Sequence, residues 1–308
     1  MMDYKPITLD FHPITLSERT RYEAFFWDAC EHGCECSFVN RFLWGEQSVA
    51  YAGDQMVLLS RFGDRFIYSY PQGIGNKKAL LDAILADSRQ RGIEYRLSGL
   101  LEAERDELES LFPNRFSFVC NEGSHDYVYA INDLADLAGR KYHAKRNHCS
   151  RFESAYPDYR IEPIRAEHLP LVKRLGDQWY AERRAADPEG DYSMEETALA
   201  RALAHYGELG LEGVLLTVGG EAVAMTMGSF MARDTFDVHF EKALSDVAGA
   251  YAMINRSFAR YLREKYPEIR FLNREEDMGI EGLRRAKESY CPHHRVVKYR
   301  ALPQEAEV

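Results

Sequence analysis

The strand-like run Phe236-Asp237-Val238-His239-Phe240-Glu241 alternates ionisable and apolar residues. A pleated strand sends alternate side chains to opposite faces, so the spacing predicts Asp237, His239 and Glu241 together on one face. Three ionisable groups on one face of an inner strand need polar partners or a cleft. In a cleft, Glu241 or His239 suits deprotonation of an attacking amine; at a sheet edge they would only meet water. Asn273, Glu275, Glu276 and Asp277 follow another apolar strand, and the carboxyl ends of strands are where α/β sheets place ligands. This cluster suits recognition of a substrate ammonium or, with pKa values raised by like charge, proton abstraction. The alternative is a polar loop whose acids complement the start of the next helix. A third concentration is basic. Arg140, Lys141, Lys145, Arg146 and Arg151 fall within one segment with His143, Asn147 and His148. On a helix over 140–155, Lys141, Lys145 and His148 share one face, and Arg140, His143 and Asn147 a neighbouring one. Such a strip suits the phosphates of coenzyme A or tRNA, or is a solvated face paired with acids from elsewhere.

The whole chain of 308 residues carries a formal net charge of -10, which disfavours general association with nucleic acid or anionic membranes and leaves that basic segment as the exception. No apolar run reaches the roughly 20 residues a bilayer span needs, and Met1 to Phe11 lacks the features of a secretory signal, so the expected location is the cytoplasm. Of six cysteines, Cys30, Cys34 and Cys36 cluster as C-x3-C-x-C. This departs from the usual zinc and iron–sulfur spacings. Reduced thiols without a metal are the expectation, with a zinc or redox role as the alternative.

These groups need a scaffold, and turn signals outline one. In the second half, strands are expected at Arg160–Ile164, Val214–Val218, Ala222–Phe230, Phe236–Glu241, Ile269–Leu272 and Arg295–Tyr299, with Gly219-Gly220 closing a tight hairpin. Helices are expected at His168–Arg184, Met194–Tyr206, Ala248–Lys265 and Ile280–Tyr290. The first half repeats the order: a strand at Ile7–Phe11, helical pieces at Ser17–Cys30 and Phe38–Trp44, and a meander of Ser48–Ala52, Met56–Ser60 and Arg65–Tyr70. A helix at Lys77–Arg91, a strand at Tyr95–Ser98, a helix at Glu102–Phe112 and strands at Phe116–Asn121 and Asp126–Ile131 complete it. The boundary is expected at Asn132–Gly139, giving domains 1–135 and 136–308, the second opened by the basic helix 140–155. This order, a mixed α/β (α+β) sheet repeated in tandem, is that of the general N-acetyltransferase (GNAT, acyl-CoA N-acyltransferase) fold. By that analogy the junction between the third meander strand and the long helix cradles a cofactor pyrophosphate on helix N-terminal amides. The junctions carry Gly249 and Ala250 in the second half, and Gly73 and Gly75 followed by Lys77 and Lys78 in the first. Each is equally readable as a turn.

The stretch Gly139-Arg140-Lys141-Tyr142-His143-Ala144-Lys145-Arg146-Asn147-His148 resembles the segment opening the second half of a bacterial family related to the C-terminal catalytic region of phosphatidylglycerol lysyltransferases. Ser37-Phe38-Val39-Asn40 with Trp44, Tyr70 to Gly75, Asp126 to Tyr129, Asn273 to Ile280, and Gly282 to Lys287 with Tyr290 agree with it along nearly the whole chain. The resemblance implies a tandem GNAT-like acyl- or aminoacyltransferase, its donor an acyl-CoA or a charged tRNA and its acceptor a small molecule or peptide with an amine or hydroxyl. Arg140, Lys141, Lys145, Arg146, Asn147, Asn273, Glu275, Asp277 and Lys287 would bind substrate, and Tyr290 would protonate the leaving group. The lysyltransferases carry a membrane domain ahead of this region; its absence here points away from a lipid acceptor. The second reading is a GNAT-fold module that binds a small ligand or RNA without catalysis.

Overall fold

The structure is a computed structural model in which residues 7–28 and 33–304 are described. Cys30, part of the cysteine cluster, lies outside them. Two compact units divide the chain: Met1–His125 with Val296–Val308, and Asp126–Arg295. In chain order the first carries β1 (His12–Pro13), α1 (Arg19–Glu23), α2 (Phe38–Leu43), β2 (Glu46–Ala52), β3 (Gln55–Phe62), β4 (Arg65–Ser69), β5 (Gln72–Gly73), α3 (Lys77–Arg91), β6 (Leu97–Leu100), α4 (Glu102–Leu111) and β7 (Phe116–Cys120). The second carries β8 (Asp126–Ala130), α5 (Ile131–Asp136), α6 (His143–Ala155), β9 (Arg160–Pro163), α7 (Leu169–Ala186), α8 (Ser193–Ala204), β10 (Glu212–Val218), β11 (Glu221–Ala232), β12 (Thr235–Ala243), α9 (Ala250–Lys265), β13 (Phe271–Asn273) and α10 (Glu281–Glu288). The chain ends in β14 (His294–Val296) and β15 (Tyr299–Pro303).

The two sheets have matching strand orders, β1-β2-β3-β4-β6-β15-β7 and β9-β10-β11-β12-β13-β8-β14. In each, an antiparallel meander meets one parallel pair, β4 with β6 and β12 with β13. The strand beyond that pair comes from the far end of the chain in one sheet and from before the unit's own meander in the other. β15 enters the first sheet between β6 and β7, and β8 enters the second between β13 and β14. Residues 126–131 therefore do not complete the first half's sheet, and the single closing strand expected at Arg295–Tyr299 is two strands. Asn132–Gly139, expected as the boundary, lies largely in α5, whose Ile131, Leu134 and Ala135 are buried. Ile7–Phe11 forms no strand. Alternation predicts that a segment is a strand but not which edge it pairs with.

One long helix packs against the meander of each unit. Asn76 caps α3 by accepting from the Ala79 amide at 3.0 Å, and Leu80, Leu81 and Ile84 enter a core with Val57, Leu59 and Tyr68. In α9, Met253, Ile254, Phe258 and Leu262 recur at helical spacing and pack with Val214, Leu216, Ala224, Phe236 and Val238. Burying a side chain such as Phe258 contributes about 1.5–3 kcal/mol. Among the described residues no helix is long and apolar enough to cross a membrane.

Candidate active site in the second unit

β12 and β13 pair only over Thr235–Asp237 and Phe271–Asn273. β12 runs on to Ala243 while the chain leaves β13 at Arg274, so the two strands fork at their carboxyl ends. A β-bulge shapes the fork. Met227 pairs with Phe240 and Gly228 with Val238, which leaves His239 as the extra residue. The bulge reverses the alternation. Phe236 and Val238 pack in the α9 core, and beyond the bulge Glu241 meets α9 as well, its Oε2 accepting from Asn255 Nδ2 at 3.0 Å. Lys242 turns the other way, to Glu195 of α8 and the rings of Trp179 and Tyr180 of α7. The expected single face of Asp237, His239 and Glu241 is thus split, with Glu241 on the α9 side and the other two opposite.

Around Glu241 the structure assembles a compact charged group. Arg274 donates to Glu241 Oε1 at 2.8 Å, and both side chains are nearly buried, 12% and 11% exposed. The Arg274 guanidinium lies 4.9 Å from the centre of the Tyr290 ring and 5.5 Å from that of Tyr129. Lys145, projecting from α6, places Nζ 3.8 Å from the Tyr290 ring centre. Burial, and after it the charge of Arg274, lowers the Lys145 pKa to about 8. Burial pushes the Tyr290 hydroxyl well above the usual phenol range, so it is protonated at neutral pH. Glu241, Lys145 and Tyr290 were legible as candidates. Arg274, Asn255 and Tyr129 were not; the available signal was an arginine directly after an apolar strand.

On the opposite face His239 Nε2 and Ser229 Oγ are 2.8 Å apart, and Nδ1 faces Asp237 at 3.5 Å and Glu275 at 3.4 Å. Glu275 has a left-handed backbone, φ 56°, a costly conformation for a side-chain-bearing residue. The rest of the loop holds itself. Asn273 donates to Asp126 and accepts from the Glu275 amide. Lys287 Nζ donates to the carbonyls of Arg274, Glu275 and Glu276 at 2.5, 3.1 and 2.5 Å. Asp277 accepts from Tyr127, Arg284 and the Gly279 amide. Burial works to raise its pKa, but Arg284, Tyr127 and Gly279 outweigh it and hold the carboxyl below the usual range.

Not every basic residue reaches the fork. Arg140 is exposed, Lys141 pairs with Asp133 at 3.1 Å, and Arg146 donates to the carbonyls of Leu137 and Gly139. Asn147 contacts His143 at 3.1 Å. The glycines have packing reasons of their own. A Cβ on Gly249, φ 88°, would stand 2.6 Å from the His148 carbonyl of α6, so this glycine admits a helix backbone. Ala250, next to it, is buried in the α9 core. In the first unit, a Cβ on Gly73 would meet the Asp54 carbonyl at 2.1 Å and one on Gly75 the Gln55 amide at 2.3 Å. Lys77 and Lys78 there pair with Glu107 and Asp82.

Two mixed sheets of matching order, each with a forked parallel pair, define a tandem GNAT-fold protein. Residues 29–302 match the family described as phosphatidylglycerol lysyltransferase, C-terminal, and the chain belongs to that family. A conserved protein of unknown function from Bacteroides thetaiotaomicron is 37% identical over 96% of this chain and 100% of its own, with a TM-score of 0.89. The C-terminal domain of a putative lysylphosphatidylglycerol synthetase from Agrobacterium fabrum is 13% identical, covering 95% of this chain and 94% of its own at TM-score 0.67. L-PGS from Bacillus licheniformis is 16% identical over 88% and 87%, at 0.63. A search of curated proteins found no relative. Family and fold are those of transferases.

Proposed function

We propose that this chain transfers an acyl or aminoacyl group from a coenzyme A thioester or a charged tRNA to an amine or hydroxyl acceptor, using the fork of the second unit. The observation that carries this reading is the convergence of Glu241, Arg274, Lys145 and Tyr290 on the carboxyl ends of β12 and β13. The acceptor's nucleophile attacks the ester or thioester carbonyl carbon. Lys145, neutral in a substantial fraction near pH 8, takes the proton the nucleophile gives up. Glu241, oriented by Arg274 and Asn255, holds the acceptor's ammonium or hydroxyl. Backbone amides exposed where the strands part stabilise the oxyanion. Tyr290 gives its proton to the departing thiolate or ribose oxygen. His239, across the sheet, takes no part. The exposed Arg140, Lys141, His148 and Arg151 offer a surface for donor phosphates.

The test is transfer of a labelled acyl or aminoacyl group from a panel of acyl-CoAs and charged tRNAs to amine and hydroxyl acceptors. Transfer that Lys145→Met and Tyr290→Phe abolish supports the proposal. No transfer, with no thermal stabilisation by any donor, overturns it. The ion pair between Glu241 and Arg274, which engages the acid before any substrate is present, favours a second reading, a module that binds a small ligand or RNA. Glu241→Gln and Tyr290→Phe would then leave ligand affinity intact.

A further inference from the structure

Behind the fork, on the face of β12 that turns away from α9, three ligand-type side chains converge. Asp237 and His239 come from β12, and their side chains have no solvent exposure. Glu275 comes from the turn after β13 and is 20% exposed. One carboxylate oxygen from each acid and a ring nitrogen of His239 all lie within 4.8 Å of one another. The two distances from His239 Nδ1, 3.5 Å to Asp237 and 3.4 Å to Glu275, are long for N–H···O bonds, which cluster near 2.9–3.0 Å. They match the edges of a metal tetrahedron instead: with metal–ligand bonds of about 2.0–2.2 Å, neighbouring ligand atoms stand about 3.3–3.6 Å apart.

A second feature, outside the three ligands, agrees. Ser229 of β11, fully buried, holds its Oγ 2.8 Å from His239 Nε2. With Nε2–H donating to the Ser229 hydroxyl, Nδ1 keeps its lone pair for an ion, the role that the outer partner of a metal-binding histidine plays. The ligand set, two carboxylates and a neutral imidazole, carries -2 and matches a divalent cation. One nitrogen and two oxygens, all within 4.8 Å of one another, suit Zn2+ among the biological ions, with a fourth position left for water or substrate. The left-handed backbone of Glu275, φ 56°, aims its carboxylate back at β12.

We infer that Asp237, His239 and Glu275 form a Zn2+ site, with Ser229 orienting the histidine. The inference stands apart from the transferase reading. A bound ion would tie β12 to the turn after β13 and so hold Arg274, the residue before Glu275, in its place at the fork.

The test is Zn2+ titration of chelator-stripped, full-length protein in competition with a chromophoric chelator, repeated with Co2+ for its visible spectrum. The expected result is one equivalent bound, a tetrahedral Co2+ spectrum without thiolate character, and affinity weakened at least about tenfold in Glu275→Gln. Ser229→Ala, smaller only by its hydroxyl, should weaken binding less than Glu275→Gln does. The metal-free melting temperature of both variants shows that each is folded. Three results overturn the inference: no Zn2+ bound, equal affinity in wild type and Glu275→Gln, or a thiolate-to-cobalt charge-transfer band, which would place the ion on cysteines.

Discussion

Each unit has a fork and a largely buried ion pair beside one of its central strands, yet the two ion pairs differ in company. In the first unit β4 and β6 pair over Tyr68–Ser69 and Leu97–Ser98. Near Ser98 and Gly99 of β6, Lys298, 3% exposed, donates to both oxygens of Glu35 at 2.9 Å. The cavity beside them, lined by Glu35, Ser98, Gly99, Lys298 and Tyr299 among others, measures about 20 Å3, room for about one water. In the second unit the Glu241–Arg274 pair has a further amine, Lys145, whose pKa burial lowers to about 8, two tyrosine rings and the Asn255 amide around it. The same strand geometry opens a fork in both sheets. In the second, the ion pair has beside it that amine, Lys145, with its lowered pKa. A fork is therefore a place for chemistry, and the side chains delivered by α6, α9 and the turn after β13 decide whether any is done.

The largest expected effect separates the forks by activity. Lys145→Met or Tyr290→Phe should each lower the transfer rate about 10²–10⁴-fold, while Lys298→Met leaves the rate per folded molecule unchanged; equal losses at both sites would break the comparison. Next is stability. Arg274→Ala strands the buried carboxylate of Glu241 and should cost about 3–5 kcal/mol, read from urea unfolding; a loss below 1 kcal/mol would mean that water reaches the fork freely.

Asp277 sharpens the comparison from the supporting loop. Its folded-state pKa is depressed, so its stabilisation is present above the unfolded carboxyl value of about 3.9 and is lost as pH falls through the folded value. Asp277→Asn should cost about 1–3 kcal/mol at pH 7, and the gap between variant and wild type should close in acid; a constant gap from pH 7 to pH 2 would show that the charge plays no part. The smallest effect is a pH profile. Transfer that needs neutral Lys145 rises through about pH 8. Arg274 is a cation that lowers this value, so in Arg274→Gln the midpoint should move upward by about one unit; an unmoved midpoint would assign the profile to another group.

Much of the scaffold was legible. The helix expected at Lys77–Arg91 is α3 to the residue, and the meanders followed from their alternation and turn residues, because these signals are local. What alternation missed was a single inserted residue. The bulge at His239 moves Glu241 to the face opposite His239, and a period of two carries no mark of where it slips. The basic segment was read as one strip, but α6 buries Cys149 and Phe152 and sends Lys145 alone into the fork, since which face of a helix turns inward depends on what it packs against. Arg274 went unnoticed beside three carboxylates because its partners, Glu241 and Tyr290, lie 33 and 16 positions away.

By itself the sequence determined the elements, their repeated order, the family and the stretches rich in ionisable groups, all set by spacing and composition along the chain. The tertiary structure alone decided that β8 and β15 each enter the other half's sheet, that Glu241 faces Arg274 rather than His239, and that Gly249 makes room for α6. Each of these is a contact between segments distant in the chain, chosen by edge pairing, burial and charge in three dimensions, which no local pattern encodes.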